Sequence, residues 1–348
     1  MLVESGDYHV TVMDINPTQL DSIRTHPCIA KRRLDVDEKA ALIRLLHEHD
    51  AVLCATPFST TTRVCEAAAA AGVHYLDLTE DVASSRQVED LSRTASAAFV
   101  PQCGLAPGFV SIVAYDLVRR FDTVDSVRMR VGALPQYPSN TLSYNLTWST
   151  EGVINEYIEP CLAIENGELV EVPALEGREE LSIDGVTYEA FNTSGGLGTL
   201  VQTLEGKVRT LNYRTIRYPG HVAIMKTLLN DLRLRDQRDL LKGILEGALA
   251  TTIQDVVIVF VTVIGTRDGR HVQETYVRKI YSQPIAGILR SAIQVTTAGS
   301  ICAALDLLLS GALPEKGFIR QEDIDLSAFL ANRFGAVYSP SARESLAA

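Results

Sequence analysis

Two stretches of this chain gather side chains able to bind and deprotonate a small charged molecule. In WSTEGVINEYIEP, Glu151, Glu156 and Glu159 stand beside the aromatic residues Trp148 and Tyr157. A carboxylate with an aromatic wall suits an amine cation. If the run from Glu151 is helical, Glu156 lies about 140° around the axis from it, so only one or two of the three acids can line a single pocket. In YRTIRYPGH, Arg214, Arg217 and His221 surround a proline and a glycine. An arginine holds a carboxylate in a two-pronged fork, and a histidine exchanges a proton near neutral pH. A plainer reading of each also stands open: a solvated helix face for the acids and surface positions for the basic residues.

A second set of residues suits a nucleotide. Asp14 closes HVTVMD, where a dinucleotide-binding fold carries the carboxylate that accepts the hydrogen bonds of the adenosine ribose diol. A phosphate on that ribose would be repelled there, which favours NAD over NADP. Taken alone, Asp14 is equally a strand-end residue opening a turn with Asn16 and Pro17. Ala55, Thr56 and Pro57 end the next strand, and Asp77 and Leu78 close the one after, with Thr79 and Glu80 beyond. Such strand ends form the crevice where ligands sit in open α/β sheets, so Ala55, Thr56 and Pro57 are candidates to border the nicotinamide and Asp77 and Leu78 to meet the cofactor, while Glu80 also reads as an acid that charges the start of the next helix. The tract FNTSGGLGTLVQT is glycine-rich but has no following GK[ST], and reads as substrate-domain backbone. Six cysteines lie far apart with no CxxC pair, so no metal site is expected and the thiols read as reduced core residues of a cytoplasmic protein.

The elements that must position these groups follow from periodicity. Over the first hundred residues, short β-branched runs at 9–14, 51–56, 74–78 and 97–104, with a further short strand at 34–36, alternate with helix-length stretches at 17–24, 37–48, 61–71 and 84–97. This is an α/β pattern, a Rossmann-type parallel sheet with crossover helices. From about residue 105 the texture changes to a helix at 110–120 and longer strands, among them SVRMRVGAL and LSYNLTWS. VVIVFVTVIGTRDGRHVQETYVRKIY reads as a hairpin turning at Asp268 and Gly269. The second domain is therefore α+β with an antiparallel sheet. Residues 1–104, with C-terminal helices of about 285–335, make the dinucleotide-binding domain, and 105–284 the substrate and dimerisation domain. A long apolar helix spans 285–310, and the polar end SPSARESLAA is expected to fray. The strand, glycine-rich turn and helix that should precede Asp14 need some 25 residues, yet only eight precede His9. The sheet is thus expected to show a gap at its central first strand, with a native chain about 20 to 30 residues longer.

Composition narrows the partners. The chain has 348 residues, 46% hydrophobic and 22% charged, and a net charge of −11 that repels a phosphate backbone. No nucleic-acid partner is expected. The apolar stretches are read as too short for a membrane helix, and the N-terminus lacks the basic, then apolar, pattern of a leader.

Four motifs in order, CGLAPGF, LPQYPSNTLSYNLTWSTEG, AFNTSGGLGTL and TIRYPGH, resemble the saccharopine dehydrogenase (reductase) family over nearly the whole chain. The resemblance implies an NAD(P)-dependent oxidoreductase acting on carbon–nitrogen bonds of amino acids, and a homodimer. The saccharopine-cleaving members carry an Asp where this chain has Ala106, an Asp-His where it has Val110 and Ser111, and commonly Arg where Glu151 stands. Exchanging Arg for Glu moves preference from a tricarboxylate towards a free amine, which resembles the lysine 6-dehydrogenase branch. On that reading Asp14 binds ribose and Ala55, Thr56 and Pro57 border the nicotinamide. Glu151 or Glu156 holds the amine, Arg217 the α-carboxylate, and His221 or Asp77 accepts the proton. The alternatives are a saccharopine reductase, a carboxyspermidine-type dehydrogenase, and a non-catalytic member that has lost cofactor binding.

Overall fold

The periodicity of the first hundred residues produces parallel strands joined by crossover helices. In the computed structural model, which describes residues 1–340, β1 (Val10–Asp14), α1 (Pro17–Ser22), β2 (Ile29–Arg33), α2 (Lys39–Leu46) and β3 (Ala51–Cys54) come first. They are followed by α3 (Phe58–Ala71), β4 (His74–Asp77), α4 (Val82–Ser92) and β5 (Ala98–Val100). Local chemistry marks the boundaries. Asn16 caps α1 by accepting Thr18 N–H and Pro17 opens its first turn, while α3 ends on Gly72 in the left-handed region (φ 74°).

The expected break in the sheet lies between β1 and β3. Among the described residues β1 pairs only with β2, in parallel register from Val10 opposite Ile29 to Asp14 opposite Arg33. β3, β4 and β5 form a separate parallel sheet completed by β16 (Gly317–Phe318). Among the described residues no backbone ladder joins the two halves, and His49 Nε2 meets Thr11 Oγ1 across the break at 2.8 Å.

The second domain begins with α5 (Phe109–Val118), β6 (Thr123–Pro135) and α6 (Thr150–Ile158). Next come β7 (Cys161–Glu165), β8 (Glu168–Val172), β9 (Glu179–Ile183), β10 (Val186–Asn192), α7 (Leu200–Leu204) and β11 (Val208–Arg217). α8 (His221–Lys226), α9 (Arg238–Ala248), β12 (Asp255–Arg267) and β13 (Arg270–Tyr281) follow. Its sheet runs β13-β12-β6-β11-β10-β9, with β7 and β8 attached through β11, and every pairing is antiparallel except β6 with β11. The β12–β13 hairpin turns at Asp268 (φ 51°) and Gly269 (φ 72°), both left-handed as this tight turn demands.

After the small hairpin of β14 (Gln283–Ile285) and β15 (Ile288–Arg290), α10 (Ala292–Leu309) packs against both β12 and β4, followed by α11 (Leu326–Ala331). Asp255, at the start of β12, receives Ala292 N–H at 2.5 Å and Ile293 N–H at 3.0 Å, satisfying two free donors of the α10 N-terminus. One continuous core joins the domains. Leu76, Ala98 and Val100 of the parallel sheet share it with Val127 and Met129 of β6, with Phe109 and Ile112 of α5, and with Ile301 and Leu305 of α10.

Three expectations need correction. The short strand expected at 34–36 is absent, and the strand pairing with β1 is Ile29–Arg33, whose basic, half-exposed residues on an edge hide the usual apolar pattern. LSYNLTWS forms irregular chain instead of a strand. α10 is long and apolar enough to cross a membrane on length and composition alone, but 67% of it is buried inside the protein, the pattern of a core helix. All six thiols are unpaired, and five are buried. The expected frayed end, 339–348, lies outside the described residues apart from its first two.

Candidate active site

The carboxyl ends of β3 and β4 open onto a cleft of about 370 Å³ between the two domains. Its first-domain wall carries Ala55, Thr56, Pro57, Leu78, Thr79 and Glu80, with Ala106 and Pro107 from the turn before α5. The opposite wall comes from α6 and β11, and Ile293 and Thr297 of α10 close one side.

Alternation along β11 decides which of its residues take part. A strand turns successive side chains to opposite faces, so Tyr213, Thr215 and Arg217 line the cleft while Arg214 points away. Arg214 Nη1 pairs with Glu179 at 2.6 Å and its Nε donates to Asn192 Oδ1 at 3.2 Å, which removes it from substrate contact. Ser149 caps α6 by accepting Gly152 N–H. The ring of Trp148 lies against the bare Cα of Gly152, where a Cβ would fall 2.3 Å from the ring. This close approach needs glycine and holds Trp148 in the cleft wall.

Of the three acids of α6 and its end, Glu151 and Glu156 line the cleft, whereas Glu159 is tied to Arg238 outside it. Glu151 sits at the rim, 3.7 Å from Lys242 Nζ. Glu156 is only 7% exposed, and its carboxylate has no hydrogen-bond partner among the described residues. Burial pushes its pKa up to about 8, partly opposed by the positive charge of Arg217. Glu80 faces the same space from the first domain and is likewise pushed up by burial, with the charges of Asp81, Asp77 and Glu151 adding to the effect. The loop that carries Gly195 (φ 84°) packs so tightly on Glu80 that a Cβ there would stand 2.6 Å from the Glu80 carbonyl oxygen. The glycine tract is thus domain-contact backbone.

The two residues expected to accept a proton do not reach the cleft. His221 is 1% exposed, with Nδ1 bonded to the Leu142 carbonyl at 3.0 Å and Nε2 to Tyr157 Oη at 3.0 Å. Burial and the neighbouring Arg217 charge push its pKa down to about 3, so the ring is neutral with both nitrogens engaged. Asp77 is buried at 1% exposure and receives Thr79 N–H, Gln102 N–H and Tyr75 O–H, tying the end of β4 to the chain after β5. Its pKa is pushed up to about 6 by burial, against these three hydrogen bonds. Asp77 therefore braces the crevice, and Leu78 beside it does line the cleft. Glu80 stands at the strand end where the sequence places it, whereas Tyr213 and Thr215 carry no mark of their own in the sequence. The period-2 pattern of β11 would have assigned Tyr213 and Thr215 to the face of Arg217.

Residues 1–100 match the model of the saccharopine dehydrogenase NADP binding domain and residues 104–334 that of the saccharopine dehydrogenase C-terminal domain. The chain belongs to the saccharopine dehydrogenase family. A curated family relative, saccharopine dehydrogenase [NADP(+), L-glutamate-forming] of Schizosaccharomyces pombe, is 26% identical over 145 residues. That match takes in 40% of this chain and spans about a third, 32%, of the relative's length. Among solved structures, the apo saccharopine dehydrogenase (L-Glu forming) of Saccharomyces cerevisiae superposes with a TM-score of 0.67 at 16% identity, covering 84% of each chain. Homospermidine synthase of Legionella pneumophila, solved with NAD, gives a TM-score of 0.64 at 12% identity, covering 96% of this chain and 84% of that one. These two likenesses concern the fold.

Within the saccharopine dehydrogenase family frame, the residues present suit a nicotinamide cofactor. Asp14 stands at the carboxyl end of β1, where its Oδ1 accepts Asn16 N–H at 2.7 Å and leaves Oδ2 without a partner among the described residues. Ala55 to Pro57 and Leu78 to Glu80 form the crevice wall beyond β3 and β4. Of the departures seen in the sequence, Ala106 and Glu151 lie in the cleft, whereas Val110 and Ser111 are buried in α5 away from it.

Proposed function

We propose that the protein oxidises the carbon bearing the distal amine of a dibasic amino acid, lysine above all, with NAD as hydride acceptor and ammonia as product. The observation that carries this reading is the charge inventory of the cleft. Among the described residues that line the cleft, Glu80, Glu151 and Glu156 face one cation, Arg217, with Lys242 beside Glu151 at the rim. A substrate with one carboxylate and an additional ammonium complements that set, whereas the three carboxylates of saccharopine would meet uncompensated acids.

Each residue then has a task. Arg217 receives the α-carboxylate. Trp148 forms an apolar wall along the aliphatic chain. Hydride can leave only from a neutral amine, so the ammonium must first lose a proton. Glu156 takes it, because its pKa of about 8 places its titration near working pH. Asp14 and the ends of β3 and β4 would hold the cofactor, which would supply the hydride acceptor when bound. Water adds to the resulting substrate imine, and the carbon–nitrogen bond breaks to give an aldehyde and ammonia. NAD is favoured over NADP because a ribose phosphate would face Asp14. Arg33, opposite Asp14 across the β1–β2 ladder, donates through Nε to the Ile15 carbonyl at 3.3 Å.

The test is a panel of lysine, saccharopine and carboxyspermidine, each with NAD and with NADP, following formation of the reduced nicotinamide. Lysine with NAD should give the largest kcat/KM. A saccharopine value above that for lysine would overturn the assignment in favour of the reductase.

A further inference from the structure

Among the described residues, Arg217 has no carboxylate within ion-pair distance, the partner that a buried cation usually has. Its hydrogen bonds go to neutral oxygens: Nε–H donates to Tyr157 Oη at 2.9 Å and Nη1–H to the Ile216 carbonyl at 3.0 Å. The second link follows from what each atom can do. The Leu142 carbonyl only accepts, so His221 Nδ1 carries the hydrogen, and the bare Nε2 accepts the Tyr157 O–H at 3.0 Å. The chain therefore has one direction, from Arg217 through Tyr157 and His221 to Leu142. All three side chains are at most 2% exposed, so water cannot stand in for a lost member.

The surroundings hold this chain rigid. Glu189 accepts Gly220 N–H at 3.1 Å and Val222 N–H at 2.7 Å, which fixes the first turn of α8 and hence His221. Phe191 stacks on the imidazole, and Tyr144 and Tyr157 meet it edge-on. The Arg217 guanidinium lies over Tyr144, 4.9 Å from the ring centre. A carboxylate anchor would cancel the charge of Arg217 and compete with an incoming anion. A neutral anchor leaves the charge intact.

We infer that Tyr157 and His221 are positioning residues that aim the Arg217 fork at the substrate carboxylate and so set selectivity for amino acids over the corresponding amines. This rests on the reading that Arg217 meets the α-carboxylate. The test is calorimetric titration of the cofactor-loaded protein with L-lysine, saccharopine and cadaverine (lysine without its carboxylate), beside steady-state kinetics. Tyr157→Phe should weaken carboxylate-bearing ligands by about tenfold to a hundredfold, the worth of a hydrogen bond to a charged group. Cadaverine affinity should stay within about threefold, and the effect on lysine should fall on KM and not on kcat. His221→Leu should act in the same direction. His221→Gln, which offers one acceptor and one donor as the neutral imidazole does, should restore most of the lost selectivity. Loss of lysine turnover with unchanged affinities, or equal weakening of lysine and cadaverine, would overturn the inference. So would native protein that binds neither lysine nor saccharopine. If the native protein binds a carboxylate ligand without oxidising it, the enzymatic reading fails while the affinities still decide the role of Tyr157.

Discussion

Glu156 should cost the protein stability in the pH range where it serves catalysis. Its carboxyl is moved from 4.5 to about 8 by burial, so the folded state holds a proton that the unfolded chain releases between those values. For a raised carboxyl the sign is unfavourable: stability falls as pH climbs from about 4.5 to about 8, and the loss is complete above that. At about 1.4 kcal/mol per pKa unit, the ionised side chain destabilises the fold by up to about 5 kcal/mol at pH 9, and by only about 1 kcal/mol at pH 5. Glu156→Gln keeps the shape and removes the charge. Urea unfolding should therefore show the variant more stable than the native protein, with an advantage about 4 kcal/mol larger at pH 9 than at pH 5. Cleft water that relaxes around the carboxylate makes this figure an upper limit. The same variant should lose about 10² to 10⁴ in kcat/KM, and the native kcat/KM should rise with pH through about 8. An advantage that does not grow with pH would refute the claim that Glu156 is buried without a partner. Retained activity would refute its role as base.

Trp148 is the single tryptophan, so its fluorescence reports on the cleft wall, and binding of lysine should change the emission. Gly152→Ala, whose methyl would strike that ring, should shift the emission and raise the KM for lysine at least tenfold; unchanged values would mean that the wall yields freely. Asp77→Asn should cost about 1–3 kcal/mol, because the amide cannot accept all three hydrogen bonds, yet leave kcat within a few-fold. A thousandfold fall in kcat in correctly folded protein would return Asp77 to the reaction. Asp14→Ala should narrow the preference for NADH over NADPH about tenfold, read by cofactor fluorescence titration, and an unaltered ratio would place the ribose elsewhere.

The sequence was most informative where a backbone rule acts locally. The Asp268-Gly269 hairpin and the Gly72 helix stop both follow from turn geometry. Pattern failed where neighbours in space decide. β2 is an edge strand rich in basic residues whose partners lie nineteen positions back, and residues 142–149 form irregular chain despite their alternation because Tyr144 and Leu146 pack with Val153 and Tyr157 of α6. In the cleft, residue type singled out Glu151, Glu156, Trp148 and Arg217, and all four line the same cleft. It could not separate Arg214 from Arg217 without the strand register, or show that both nitrogens of His221 are taken by Leu142 and Tyr157. The role of Glu80 stays open in the sequence, because the acid that opens a helix on a surface and the acid that faces a cleft look alike until the second domain is in place.

The central claim, oxidation at the distal amine of a dibasic amino acid, is tested most directly by isotope substitution. Lysine deuterated at the carbon bearing the distal amine should show a primary isotope effect on kcat/KM with NAD, and lysine deuterated at the α-carbon should show none. An effect confined to the α-carbon, or turnover of saccharopine with none of lysine in either form, would contradict the account.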